Sequence, residues 1–65
     1  MIATRLKKVR KQKMMTQQEL ADAAGVSRRG IINLESGHSG QFRTIRALAE
    51  ALGVEPSELV EKEQS

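Results

Sequence analysis

A chain of 65 residues forms at most one small domain, and a domain of this size buries only about 60% of its unfolded surface, which leaves little room for a ligand pocket. The 38% of apolar residues are almost all aliphatic, Phe42 is the only aromatic residue and cysteine is absent, so a helical core is favoured and disulfides or thiolate metal sites are excluded. The net charge of +3 conceals an asymmetry, because residues 1–46 have ten basic and three acidic residues (+7) whereas residues 47–65 have one basic and five acidic residues (−4).

A basic segment of this kind can bind nucleic acid, bind an anionic membrane or only keep the chain soluble, so the local pattern must decide between them. No apolar run is long enough to span a bilayer, and the first residues lack the apolar core of a secretory signal. We therefore expect a cytoplasmic protein without a membrane partner.

The first predicted element is a helix over residues 2–13, in which Ile2, Leu6 and Val9 recur at helical spacing and form one buried face. An amphipathic helix on a membrane surface is the alternative, but the apolar stripe is narrow and has no Trp or Phe anchor. Most of the other positions are basic, namely Arg5, Lys7, Lys8, Arg10, Lys11 and Lys13.

A second helix is predicted to begin at the sequence Thr16-Gln17-Gln18-Glu19, which is a capping box. Leu20, Ala21 and Ala24 continue it at helical spacing. Gly25 can adopt the left-handed conformation that ends helices, so the second helix is expected to stop there.

Ser27 is a good N-cap for a third helix that runs to about Glu35, with Gly37 placed to terminate it. A helical wheel places Ile31 and Leu34 on the inner side. The outer side then has Arg28, Arg29, Ile32 and Asn33. A helix, a short glycine turn and a second helix, here at residues 16–36, form the arrangement that proteins use to contact bases in the major groove.

Residues 36–41 are rich in Gly and Ser and are expected to form a loop. A fourth helix follows and is closed by Gly53. The apolar face of this fourth helix consists of Ile45, Leu48, Ala49 and Leu52. A short fifth helix should start at Pro56. Residues 61–65 are expected to fray. The prediction is one all-α domain over residues 1–65, a compact bundle of five short helices.

The side chains on the outer side of the third helix suit base edges, because Arg can bond to guanine O6 and N7 and Asn to adenine N6 and N7. An ordinary solvated helix face is the alternative. Ile32 can either contact a thymine methyl group or pack against the preceding helix, and the sequence does not separate these possibilities.

The chain resembles the helix-turn-helix family of the lambdoid phage repressors, Cro proteins and Xre-like bacterial regulators over about residues 2–60. Four stretches in order give this resemblance: TQQELA at 16–21, GVS at 25–27, IINLESG at 31–37 and LAEALGV at 48–54. The resemblance implies a bacterial or phage-encoded protein that binds palindromic operators in double-stranded DNA as a dimer. We expect the homodimer to be weak and to use residues 52–60.

The resemblance also implies roles for individual residues. Gln17, Ser36, His38 and Arg43 are expected at DNA phosphates, with Ser39 as a further candidate and the minor groove as an alternative for Arg43. Base contacts are expected from Ser27, Arg28, Arg29 and Asn33. Arg10 and Glu35 are expected to form a structural ion pair, although each can also be an ordinary solvated charge.

Two positions depart from the family pattern. Gly30 lies inside the third helix, where glycine costs about 1 kcal/mol relative to Ala, and it can let the helix lie closer to DNA. Met14 and Met15 occupy the link between the first two helices, where relatives commonly have Gly, so the first helix is expected to end differently.

The favoured function is a sequence-specific transcriptional regulator that acts as a repressor. A protein-interaction module, such as an antitoxin with a toxin as its protein partner, is the alternative, and some antitoxins have this fold. An enzyme is disfavoured, because the sequence has no Cys, no Tyr and a single His, His38, without a second ligand or nucleophile nearby. We expect no catalytic residue, metal or cofactor.

Overall fold

The computed structural model describes residues 1–60, which form four α-helices and one turn of 3-10 helix. The helices are α1 (Leu6–Gln12), α2 (Gln17–Ala24), α3 (Arg28–Glu35) and α4 (Phe42–Leu52), followed by the 3-10 turn (Pro56–Glu58). The all-α fold is confirmed, and within residues 1–60 the β-structure is limited to one isolated antiparallel bridge. No helix in this range is long and apolar enough to cross a membrane. The frayed tail expected at 61–65 lies outside the described residues.

Local signals fix the turn between α2 and α3. The Thr16 hydroxyl accepts a hydrogen bond from the Glu19 backbone N–H at 3.0 Å, and the Glu19 carboxylate accepts one from the Thr16 N–H at 2.8 Å. Gly25 ends α2 with φ = 70°, a conformation that side chains disfavour. The Ser27 hydroxyl then caps α3 by accepting from the Gly30 N–H at 3.1 Å. These caps agree with the sequence prediction.

The core lies between α2 and α4, with α3 packed against α2, α1 against α3 and the 3-10 turn against α4. It is entirely aliphatic, and Met15, Val26 and Val54 pack against it from the side. Because α3 contributes only Ile31 and Leu34 to this core, its opposite side stays exposed. The buried apolar residues are Ala3, Leu6, Val9, Leu20, Ala21, Ile31, Leu34, Ile45, Leu48, Ala49, Leu52 and Leu59.

The prediction that the first helix begins at Ile2 is wrong. Ile2 is 48% exposed and pairs with Ser39 in the isolated bridge, while Ala3 is buried. The neighbouring Gly40 N–H donates to the Met1 carbonyl at 2.7 Å. These hydrogen bonds satisfy an extended backbone, so the chain becomes helical only at Leu6.

The predicted short fifth helix begins at Pro56 as expected and amounts to a single 3-10 turn. Leu59 directly follows this turn and is fully buried, and its carbonyl accepts a hydrogen bond from the Arg5 N–H at 3.0 Å. The inward turn at Leu59 buries an aliphatic side chain, and its carbonyl bonds to Arg5 of a distant segment instead of to a later residue of a helix.

Replacing Met14 by Gly should raise the free energy of unfolding by about 0.5–1 kcal/mol, or roughly 2–8 °C in melting temperature. Met14 has φ = 57°, in the left-handed region, and its side chain is 90% exposed, so Gly relieves backbone strain without loss of packing. Thermal unfolding followed by circular dichroism measures the change. Met14→Ala is the matched control, since it removes the same side chain but keeps the strain. Equal stability of the Gly and Ala variants would contradict this account.

Candidate nucleic-acid interface

The outer side of α3 presents a group of exposed polar side chains. Arg28, Arg29 and Asn33 are exposed, whereas Ile31 and Leu34 on the same helix are buried. Neither Arg28 nor Arg29 forms an ion pair with another residue in the range 1–60. Two guanidinium groups and one carboxamide are therefore available to an external ligand, on a helix whose orientation the core fixes.

Ser27 and Gly30 form the start of this surface. The Ser27 oxygen is occupied as the helix cap, but its hydroxyl hydrogen remains available as a donor. A Cβ at position 30 would lie 3.3 Å from the Ser27 oxygen, which is tight. Gly30 therefore leaves room for the cap at the point where α3 begins. Ile32 is half-buried, so both of the contacts considered for it stay possible.

Arg10 and Glu35 form an ion pair that joins α1 to α3. The Arg10 Nε and Nη2 atoms donate to the two Glu35 carboxylate oxygens at 2.7 and 3.1 Å, and the side chains are only 10% and 6% exposed. Arg10 Nη1 also donates to the Met15 carbonyl at 2.8 Å, next to the N-cap of α2. A bidentate pair in which the third guanidinium nitrogen is also hydrogen-bonded is a geometry that allows charges to be buried.

The two charges stabilise each other's ionised forms. The hydrogen bond to Glu35 raises the pKa of Arg10 above its ordinary value, against the opposite effect of burial. Burial raises the pKa of Glu35, but hydrogen bonds from Arg10 and Gln17 and the nearby charges of Arg10 and Lys7 outweigh it and leave the pKa lowered. Glu35 is therefore an anion at neutral pH.

Gln17, the first residue of α2, belongs to the same network. Its Nε2 donates to Glu35 Oε1 at 3.1 Å, and the side chain is half-buried. A carboxamide has two N–H donors and one acceptor oxygen, so one donor is used here and the other groups remain for a ligand. The sequence analysis missed this bond, and no local pattern in the chain indicates it.

The residues after α3 that are candidates for phosphate contacts differ in the hydrogen bonds that they already make within the protein. The Ser36 hydroxyl donates to the Ile32 carbonyl at 2.8 Å, so a phosphate contact requires exchange of that hydrogen bond. His38 Nδ1 lies 3.2 Å from the Asn33 carbonyl oxygen. The Ser39 oxygen accepts from the Met1 amino group at 3.0 Å and keeps its own hydrogen as a donor. Arg43 is exposed in the first turn of α4, where the N-cap residue makes no side-chain hydrogen bond.

Gly40 holds the loop before α4 against α3, a role that the sequence analysis did not assign. A Cβ at this position would overlap the buried side chain of Leu34. Glycine composition alone indicated a loop here and not a close approach of its backbone to the core. Gly40 therefore fixes where residues 36–41 lie relative to the outer side of α3.

Charge is distributed unevenly around the described residues. Exposed basic side chains occur on α1, at the start of α3 and on α4, where Arg46 stacks on Phe42 at 5.2 Å from the ring centroid. The exposed acidic residues of the last part of the described chain are Glu50, Glu55 and Glu58. Residues 1–60 contain no group of three or more His, Cys, Asp or Glu side chains that could hold a metal ion.

The sequence matches the family model HTH_3, described as helix-turn-helix, over residues 6–59. Among solved structures, a chain of the complex of the SinR and SinI proteins superposes with a TM-score of 0.83 and 26% sequence identity, over 95% of this chain and 62% of the matched chain. The chain thus spans less than two thirds of that neighbour's length. A search of curated proteins found no match.

Proposed function

Because this chain belongs to the HTH_3 helix-turn-helix family of DNA-binding transcription regulators, we propose that it binds a specific double-stranded operator through α3 in the major groove and acts as a repressor. The supporting observation is the exposed group of Arg28, Arg29 and Asn33 on a helix anchored by Ile31 and Leu34. Occupation of an operator can block a promoter by itself, so DNA binding suffices for repression.

Base contacts are proposed for four residues at the start and on the outer side of α3. Arg28 and Arg29 have the fork of donors that matches guanine O6 and N7, and Asn33 has the donor and acceptor that match adenine N6 and N7. Ser27 retains its hydroxyl hydrogen for a base or sugar acceptor. These side chains provide sequence discrimination, because phosphates do not differ between sequences.

Phosphate contacts are proposed on both sides of α3. Gln17 lies at the N-terminus of α2, where the first backbone N–H groups have no partner within the helix and favour an anion. Arg43 lies in the equivalent first turn of α4. Ser36 and His38 are weaker candidates, since both already contact backbone carbonyls of α3. The phosphate contacts fix how deeply and at which angle α3 enters the groove.

We also propose that two chains bind one palindromic site. The segment 52–60 offers a small surface for this, because Leu52 and Leu59 are buried within the monomer and only Val54, Pro56 and Val60 are half-exposed apolar residues. A surface this small supports weak association in solution. Binding to two half-sites on one duplex would strengthen it by raising the effective concentration.

A protein partner is the second candidate function. The structural neighbour was solved as a complex of SinR with SinI, so that protein has a protein partner. Purification of this chain from its native cells distinguishes the two functions: a stoichiometric protein partner would support an antitoxin-like role, and recovery of the chain alone with its DNA would support the regulator.

Binding to DNA should depend strongly on salt concentration, with a slope of log affinity against log salt near −5 if a dimer neutralises roughly six phosphates. Five of the six basic residues before Thr16 are exposed, and only Arg10 is withdrawn into an ion pair. Fluorescence anisotropy with a labelled palindromic duplex measures the slope, and sedimentation of the same mixture counts the chains on each duplex.

A scrambled duplex is the control, and it should give a slope of similar size because its phosphates are the same. A flat salt response would contradict DNA binding. One tightly bound chain on a palindromic duplex would contradict the proposed dimer.

A further inference from the structure

We propose that Glu35 is a positioning residue for DNA binding, which holds the side chain of Gln17 in the orientation that contacts a phosphate. This inference rests on the proposed function and assigns the Arg10–Glu35 pair a role beyond joining α1 to α3. It starts from the hydrogen bond between Gln17 Nε2 and Glu35 Oε1, which spans 18 positions in the sequence.

The hydrogen bond restricts the Gln17 carboxamide at the start of α2. A glutamine at an exposed helix end samples several rotamers, and binding must then order it at a cost in affinity. In this structure one N–H of the carboxamide is already bound to a carboxylate that is itself held by two bonds from Arg10. The second N–H is fixed by the planarity of the group, so the donor for a phosphate is oriented before DNA arrives.

The ion pair also offsets the negative charge of the Glu35 carboxylate, which lies close to the proposed phosphate contact. An unpaired Glu35 anion close to Gln17 would repel the DNA backbone. Arg10 donates to both carboxylate oxygens, and the charge of Lys7 also acts on Glu35. Glu35 can therefore accept from Gln17 while its negative charge is balanced within the protein.

Arg10 fixes the same region by a second route. Its third hydrogen bond, to the Met15 carbonyl, lies directly before the Thr16 capping box and so restrains the backbone from which α2 begins. The hydrogen-bond network of Arg10 and Glu35 thus restrains both the backbone before Gln17 and the Gln17 side chain. Removal of the Glu35 carboxylate should free the side chain while the Thr16 cap still holds the helix start.

A double-mutant cycle tests this role. The affinity for one duplex at fixed salt is measured for the wild type, Glu35→Met, Gln17→Ala and the double variant, with melting temperatures to confirm that each is folded at the assay temperature. Met has a side chain of similar length without an oxygen that could accept from Gln17. We expect Glu35→Met to weaken binding about 3- to 10-fold when Gln17 is present and less than about 1.5-fold when position 17 is Ala, because the effect passes through Gln17. Equal losses in both backgrounds, or no loss in either, would overturn the inference.

A second measurement on the unmodified chain covers the case in which Glu35→Met does not fold. Relaxation of the Gln17 side-chain ¹⁵N in free and DNA-bound protein reports how ordered the carboxamide is. We expect similar order in both states, with Gln12, an exposed glutamine whose side chain makes no hydrogen bond to another of residues 1–60, as the internal reference. A Gln17 side chain that is mobile in the free protein and ordered only on DNA would overturn the inference. Absence of any wild-type binding would instead overturn the proposed function on which it rests.

Discussion

Replacing Leu34 by Ala should unfold most of the domain at 37 °C. Leu34 is only 4% exposed, and the backbone of Gly40 approaches its side chain so closely that no Cβ fits between them. The cavity left by such a truncation costs about 2–5 kcal/mol. At about 0.05–0.15 kcal/mol per residue, this is comparable with the whole stability expected of so small a domain.

Circular dichroism at 222 nm during heating and during urea titration measures this loss. Asn33→Ala is the matched control, because it truncates the neighbouring exposed residue of α3 and should leave the melting temperature nearly unchanged. A Leu34 variant as stable as the Asn33 variant would show that α3 is not held by the core in the way described.

The helix boundaries that depend on neighbouring residues were predictable from the sequence. The Thr16 capping box, the left-handed Gly25 and the Ser27 cap each involve residues within three or four positions, so their signals are local. Gly53 likewise ends α4 with φ = 73°. The inner side of α3 followed from helical periodicity alone.

The errors arose where distant segments meet. Ile2 has the spacing of a helix residue relative to Leu6 and Val9, but its backbone pairs with Ser39, 37 positions away, and no local pattern reports that contact. The short fifth helix predicted from Pro56 is a single 3-10 turn, after which Leu59 is buried and hydrogen-bonded to Arg5. Competition from such long-range contacts overrides local helix propensity.

The features of the candidate interface also fall into those that the local sequence pattern predicts and those that depend on contacts between distant segments. The outward placement of Arg28, Arg29 and Asn33 needs only the helical wheel and the position of the core. The bond between Gln17 and Glu35 depends on the angle between α2 and α3, which the sequence does not specify. The Arg10–Glu35 pair was expected only because the chain resembles a family with these residue types at these positions.

Replacing Arg29 by Ala should reduce sequence preference without reducing stability. Arg29 is exposed in the first turn of α3 and forms no ion pair within residues 1–60, so its loss leaves the fold intact. Loss of a bidentate guanine contact should cost about 1–3 kcal/mol on the preferred duplex and relax the preference at one base pair in each half-site. Arg28→Ala should behave similarly at a different base pair.

Two variants separate base contacts from general electrostatics. Arg46→Ala removes the same charge from α4, where the guanidinium stacks on Phe42, and should keep the ratio of specific to scrambled binding. Gln17→Ala should weaken both duplexes by a similar factor, because a phosphate contact does not depend on sequence. If Arg29→Ala and Arg46→Ala changed the ratio equally, Arg29 would not be a base-contacting residue.

Selection from a pool of random duplex DNA tests sequence-specific binding by α3 most directly, with the wild type and Arg29→Ala selected in parallel. For the wild type we predict a palindromic consensus with half-site centres about 10 base pairs apart, one turn of DNA. The Arg29→Ala pool should give the same consensus with one position per half-site made degenerate. A wild-type pool without any consensus, or an Arg29→Ala consensus identical to that of the wild type, would contradict the assignment of α3 as the element that recognises bases.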